Sequence, residues 1–153
     1  MPDLTLDSAN EFRRAVGDLV RAVRLGESTP EGQIETLGLL VRDGAQSVAT
    51  LARRRRVRHQ SMSGTVVELE ARGLVTRSAD PDDARGTLVA LTSAGVEMIR
   101  ASRLRRSTVV LEAARSALTL GEREVLAEIP AVLDRLAAAL VSAAETTGTD
   151  APG

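Results

Sequence analysis

The chain has no cysteine, lysine, tryptophan or tyrosine, and it holds a single phenylalanine, Phe12, and a single histidine, His59. Without thiols, disulfides, zinc–thiolate sites and thiol-based oxidant sensing are excluded. With one histidine and no HExxH, GxGxxG, Walker-type or GxSxG pattern, the usual enzyme constellations are missing. No catalytic residue, cofactor or metal site is therefore expected, and carboxylates paired in a cleft are the one catalytic arrangement left open. The scarcity of rings also sorts nucleic-acid partners, because single-strand and RNA modules stack unpaired bases on aromatic side chains. Duplex DNA, read by a helix and arginines, survives that test. No uncharged apolar run approaches about 18 residues, and the N-terminus lacks a basic-then-apolar signal pattern. A soluble cytoplasmic protein with no membrane partner is the expectation.

At 153 residues, 43% hydrophobic and 27% charged, the chain suits one compact domain. All twenty basic residues are arginine, which we read as genomic composition rather than function. Their placement says more than the net charge of −1. Residues 53–106 hold twelve arginines against six acids, whereas the rest is acidic, as expected when one segment meets phosphates. A solvated basic helix face would leave the same asymmetry.

Hydrophobic spacing predicts a helical frame with one hairpin inside it. Phe12, Val16, Leu19, Val20 and Val23 recur at three- and four-residue steps, an amphipathic helix over about 7–25 that Gly26 stops. Thr29-Pro30-Glu31 opens a second helix, with Thr29 as its cap and Pro30 in its first turn, and Asp43-Gly44 closes it. Ser47 caps a short third helix to about Arg55. A fourth begins around Arg58-His59 and ends at Arg72-Gly73, with Met62 and Val66 facing the core.

Leu74–Arg77 and Thr87–Leu91 are strand-like runs around the turn Asp80-Pro81-Asp82-Asp83-Ala84-Arg85-Gly86. Thr92 caps a long helix to about Leu118, with Val96, Ile99, Leu104 and Leu111 as inward candidates. Thr119-Leu120-Gly121-Glu122 is a capping box for a last helix to about residue 146, which Pro130 should kink. Two short helices joined by a tight turn and followed by a hairpin are the parts of a winged helix-turn-helix. The terminal helices carry more apolar surface than so small a domain covers, so a homodimer is expected. Residues 147–153 read as a flexible tail.

The motif Asp80-Pro81-x-Asp83-x-Arg85, followed by Leu91-Thr92-x-x-Gly95 and preceded by Leu69-Glu70-x-Arg72-Gly73-Leu74-Val75, resembles the MarR family of bacterial transcription regulators. The resemblance runs over nearly the whole chain. It implies a mainly α fold with a small β-hairpin wing: a single regulator domain over 1–146, with a DNA-binding winged helix over about 30–92 and dimerisation helices over about 7–25, 93–118 and 120–146. It further implies a homodimer on a pseudo-palindromic double-stranded operator, acting as repressor of a neighbouring gene or its own. Release by a small-molecule effector, its identity unspecified, completes the implied cycle.

By that resemblance Arg85 is the wing arginine that enters the minor groove, and Asp83 the acid that orients it. The first turns of the fourth helix face base edges in the major groove, which points to His59, Gln60, Ser61 and Ser63. Gln60 suits adenine, and Arg58 suits guanine or phosphate. His59 fits a DNA contact or a solvated position equally well. The run Arg53–Arg56, with Arg54 and Arg56 foremost, reads as phosphate anchoring. Gly64 stands where the family often has a polar or basic residue. A winged-helix module for protein interaction, without a DNA target, is the alternative reading.

Overall fold

The computed structural model describes residues 4–83 and 85–148, with backbone alone for Thr147 and Gly148. Helix α1 (Leu6–Val23) leads to α2 (Glu31–Asp43), the short strand β1 (Gln46–Ser47), α3 (Val48–Arg55), α4 (His59–Ala71), strands β2 (Val75–Ala79) and β3 (Thr87–Leu91), α5 (Ser93–Ala117) and α6 (Leu120–Gly148). The fold is mainly α with a small β-hairpin wing, as expected, and β1 extends the hairpin to a three-stranded antiparallel sheet. The chain divides into two compact units between Thr108 and Val109.

In the first unit the core is a single apolar cluster. Leu37 from α2, Leu51 from α3, Met62, Val66 and Leu69 from α4 and Val89 from β3 are all fully buried, and Ile99 of α5 closes it. The spacing of Met62, Val66 and Leu69 puts all three on one stripe of α4. Ser47 caps α3, its hydroxyl accepting from Thr50 N–H at 3.1 Å. The expected cap of α2 is different: Pro30 holds the cap position, while Thr29 is buried and its hydroxyl oxygen accepts from Arg72 at 3.2 Å.

The sheet order is β1-β3-β2. β1 was not legible in the sequence, because its two residues are strand only through pairing of Gln46 with Val89 and Ser47 with Leu88. β2 and β3 form the wing, in register from Val75 opposite Leu91 to Ala79 opposite Thr87.

The two halves of the sequence motif meet at the base of the wing. Gly73 takes a left-handed backbone (φ 69°), which side chains resist, and turns the chain out of α4. Thr92 donates its N–H to Leu74 O at 3.1 Å and its hydroxyl to Gly73 O at 2.7 Å, and accepts from Gly95 N–H at 3.1 Å. A Cβ on Gly95 would fall on the Leu74 carbonyl, so only glycine lets α5 start this close to the strand.

α5 buries Ile99 and Ser102, but Val96, Leu104 and Leu111, expected inward, are exposed; Leu104 retains 67% of its surface. Amphipathic spacing marks an apolar face without naming what covers it. In the second unit the capping box at α6 is complete: Thr119 N–H and hydroxyl both donate to Glu122, at 2.8 and 2.7 Å, and Glu122 N–H returns to the Thr119 hydroxyl at 3.3 Å. None of the described residues of α6 is buried. Of the expected tail, Thr147 and Gly148 close α6 and the remainder lies outside the described residues.

Candidate nucleic-acid interface

α3 and α4 are joined by a turn in which Arg56 adopts a left-handed backbone (φ 52°), with Val57 N–H returning to Ala52 O at 3.0 Å. The αL closure ends α3 and sets α4 on a new course within three residues. At the start of α4 the cap position is Arg58, which makes no side-chain cap bond. The first-turn N–H groups therefore face outward with the positive end of the helix dipole, a setting that favours anions.

His59, Gln60 and Ser61 are exposed on that first turn, and Ser63 is half-buried. Ser63 Oγ lies 3.4 Å from His59 Nδ1, one turn apart. Met62 and Val66 point into the core, as expected. The predicted readers thus share the solvent side of the helix. Among the described residues no three of His, Cys, Asp and Glu converge as a metal site.

The arginine run separates into two pairs. Arg53 and Arg56 are exposed, and among the described residues neither side chain has an ion pair. Arg54 instead bridges Asp43 at 2.9 Å and Gln46 Oε1 at 3.1 Å, and Arg55 pairs with Glu35 and donates to Gly32 O at 3.0 Å. Burial works to raise the Asp43 carboxyl, but hydrogen bonds and charge from Arg42 and Arg54 outweigh it and hold the pKa below the usual carboxylate value. Arg54, a predicted DNA contact, is thus already committed within the domain.

At the wing tip, Asp80 N–H donates to Gly86 O at 3.0 Å and Gly86 N–H to Asp83 O at 2.8 Å. A Cβ on Gly86 would stand 2.9 Å from Asp80 Cβ, so the tight tip requires glycine. Arg85 is exposed, and its main-chain N–H donates to Asp83 Oδ1 at 3.0 Å. Asp83 therefore shapes the backbone carrying Arg85. Among the described residues no ion pair joins it to the guanidinium.

Two polar networks escaped the sequence reading because their members are far apart in the chain. Buried Gln33 donates to Glu68 at 2.7 Å and accepts from Arg72, which also reaches Thr29, tying the start of α2 to the end of α4. Glu27, with only 10% of its side chain exposed, accepts from Ser102 at 3.1 Å and Arg106 at 3.2 Å, with Arg105 at 3.6 Å. Burial pushes the Glu27 carboxyl up, but those hydrogen bonds and the two guanidinium charges hold it below the ordinary value. A cleft of about 640 Å³ opens beside Gly38 and Leu39, rimmed by Arg42, Arg54, Arg55 and Arg103.

Residues 29–86 match the MarR family model. The chain is 33% identical over 121 residues to an HTH-type transcriptional regulator of Mycobacterium tuberculosis, covering 77% of this chain and 84% of that protein. A Mycobacterium leprae HTH-type regulator is 33% identical over 107 residues, covering 68% and 75%. Among solved structures, a transcriptional regulator protein from Pseudomonas aeruginosa superimposes with TM-score 0.78 at 30% identity, over 90% of this chain and 98% of that one. A MarR family protein from Bacillus stearothermophilus shares the fold, with TM-score 0.70 at 18% identity over 90% and 99%. With the wing motif, the αL turn between α3 and α4 and these relatives in agreement, the chain belongs to the MarR family of winged helix-turn-helix transcriptional regulators.

Proposed function

We propose that this regulator, which is no enzyme, binds a pseudo-palindromic duplex operator as a homodimer and represses its own or a neighbouring gene. The observation that carries the reading is the uncapped start of α4, which presents Arg58 and the readers His59, Gln60, Ser61 and Ser63, with Arg53 exposed in the last turn of α3, Arg56 exposed in the turn between the helices and Arg85 exposed on the wing. α4 would enter the major groove and Arg85 the minor groove, while Arg53 and Arg56 hold phosphates. Arg54 would reach DNA only by leaving Asp43. Dimerisation would cover the apolar residues that α1, α5 and α6 leave exposed, among them Leu19, Leu104, Leu136 and Leu140.

For release, the arginine-rimmed cleft supports an anionic effector. A carboxylate there would compete with Asp43 and Glu35 for Arg54 and Arg55, and so pull on α3, the first helix of the DNA-binding pair.

The test is a salt series on the duplex upstream of its own coding region, with unrelated duplex as competitor. Binding should resist the competitor and fall steeply as salt rises. Arg85→Ala should cost about 1–3 kcal/mol of affinity per wing contact while leaving the melting midpoint unchanged. Equal and weak binding to both duplexes would favour a protein partner or a distant operator.

A further inference from the structure

Met62, Val66 and Leu69 fill the core, so the opposite stripe of α4 carries Gln60, Gly64, Val67 and Ala71, all exposed and stepped by four, three and four residues. That stripe is uncharged. The exposed carboxylates on its flanks already have partners within the domain, Glu68 accepting from Gln33 at 2.7 Å and Glu70 from Arg77 at 3.1 Å. Val67 keeps 56% of its surface in solvent at a place where core packing has no use for it. Gly64 has no positive φ, and a Cβ there would meet nothing within 4 Å. Neither backbone nor packing asks for this glycine, although it is among the poorest helix formers.

Valine has no donor or acceptor, and the apolar feature that a base pair offers in the major groove is the thymine 5-methyl group. Glutamine matches the paired acceptor and donor of adenine, N7 and the N6 amino group. We propose that the Gln60–Gly64–Val67 stripe selects an A·T-containing half-site, with Gln60 on an adenine and Val67 packed on a thymine methyl. Gly64 leaves the helix bare at its midpoint, so that α4 can approach closely enough for both contacts. Val67 lies about 10 Å along the axis from Gln60, so the two contacts fall on different base pairs. This assignment rests on the duplex-binding reading above.

The experiment selects duplexes from a random pool with the full chain, then replaces each half-site thymine in turn with deoxyuridine, which removes only the methyl. One position per half-site should weaken binding about fourfold, the worth of one buried methyl. Val67→Ala should bind the thymine duplex correspondingly weakly and ignore the uracil change. Gly64→Ala should raise the thermal midpoint yet weaken the selected site more than unrelated duplex. A tightly selected duplex indifferent to uracil at every position, or a Val67→Ala variant that keeps the uracil penalty, overturns the stripe assignment and leaves the duplex reading standing. If the pool yields no enriched sequence, both fall.

Discussion

α4 and α6 are both long on apolar residues, yet they end in opposite states. α4 buries Met62, Val66 and Leu69 completely, while no described residue of α6 is buried. The difference lies in what surrounds each helix. α4 has α2, α3 and β2 of its own unit to pack against, so its apolar stripe is used up and its outer stripe is free to be neutral and small. α6, in the second unit, leaves Val125, Val132, Leu136 and Leu140 exposed, a surface more hydrophobic than a soluble helix needs for itself. One helix is finished by its own unit, and the other, on the dimeric reading proposed above, would be completed by a second copy.

The largest effect should come from making α6 unfit for a partner. Leu136→Glu combined with Leu140→Glu should leave a folded monomer by sedimentation, with operator affinity reduced about 10²- to 10⁴-fold because two half-sites are no longer engaged together. A dimer that survives this change would break the comparison.

Next comes the contrast between a filled and an open position. Met62→Ala empties a fully buried site and should cost about 2–5 kcal/mol in urea unfolding. Leu104→Ala, at 67% exposure, should cost little in a monomeric background, and a larger loss only where the dimer forms.

The smallest effect is electrostatic. Glu27, Asp43 and Glu122 all have pKa values lowered by folding: for Glu27 the Ser102 hydroxyl with Arg106 and Arg105 overcomes burial, for Asp43 Arg42 and Arg54 do so, and for Glu122 the hydroxyl and N–H of Thr119 stabilise the charge. Unfolded carboxylates bind protons first as pH falls, so this stability is whole above the unfolded values, 4.5 for the two glutamates and 3.8 for Asp43, and drains as pH drops through the folded values. Urea midpoints measured from pH 6 to 3 should decline, and Glu27→Gln should flatten part of that decline. Stability unchanged by acid would contradict the lowered values.

Legibility in the sequence followed the range of the interaction. Ser47, the Thr119–Glu122 box and the Asp80–Gly86 turn act within about six residues, and each was found where its local chemistry placed it. Thr29 was misplaced as a cap because the competing donor, Arg72, lies 43 positions away. The face of α4 was only partly read: His59 to Ser63 follow from helix entry, but Val67 stands out only once burial shows which stripe the core has left open. Arg54 looked like its neighbours in the run until Asp43 and Gln46 were brought beside it.

Amino-acid order alone thus determined the helices, the caps at Ser47 and Thr119, the wing turn and the family, because propensity, periodicity and turn chemistry are short-range properties. Tertiary structure decided which arginines are committed inside the domain, how Thr92 and Gly95 lock the wing to α4, and which apolar faces remain open. Those outcomes depend on groups distant in the chain arriving at the same place, where burial and pairing compete, and no local pattern records that competition.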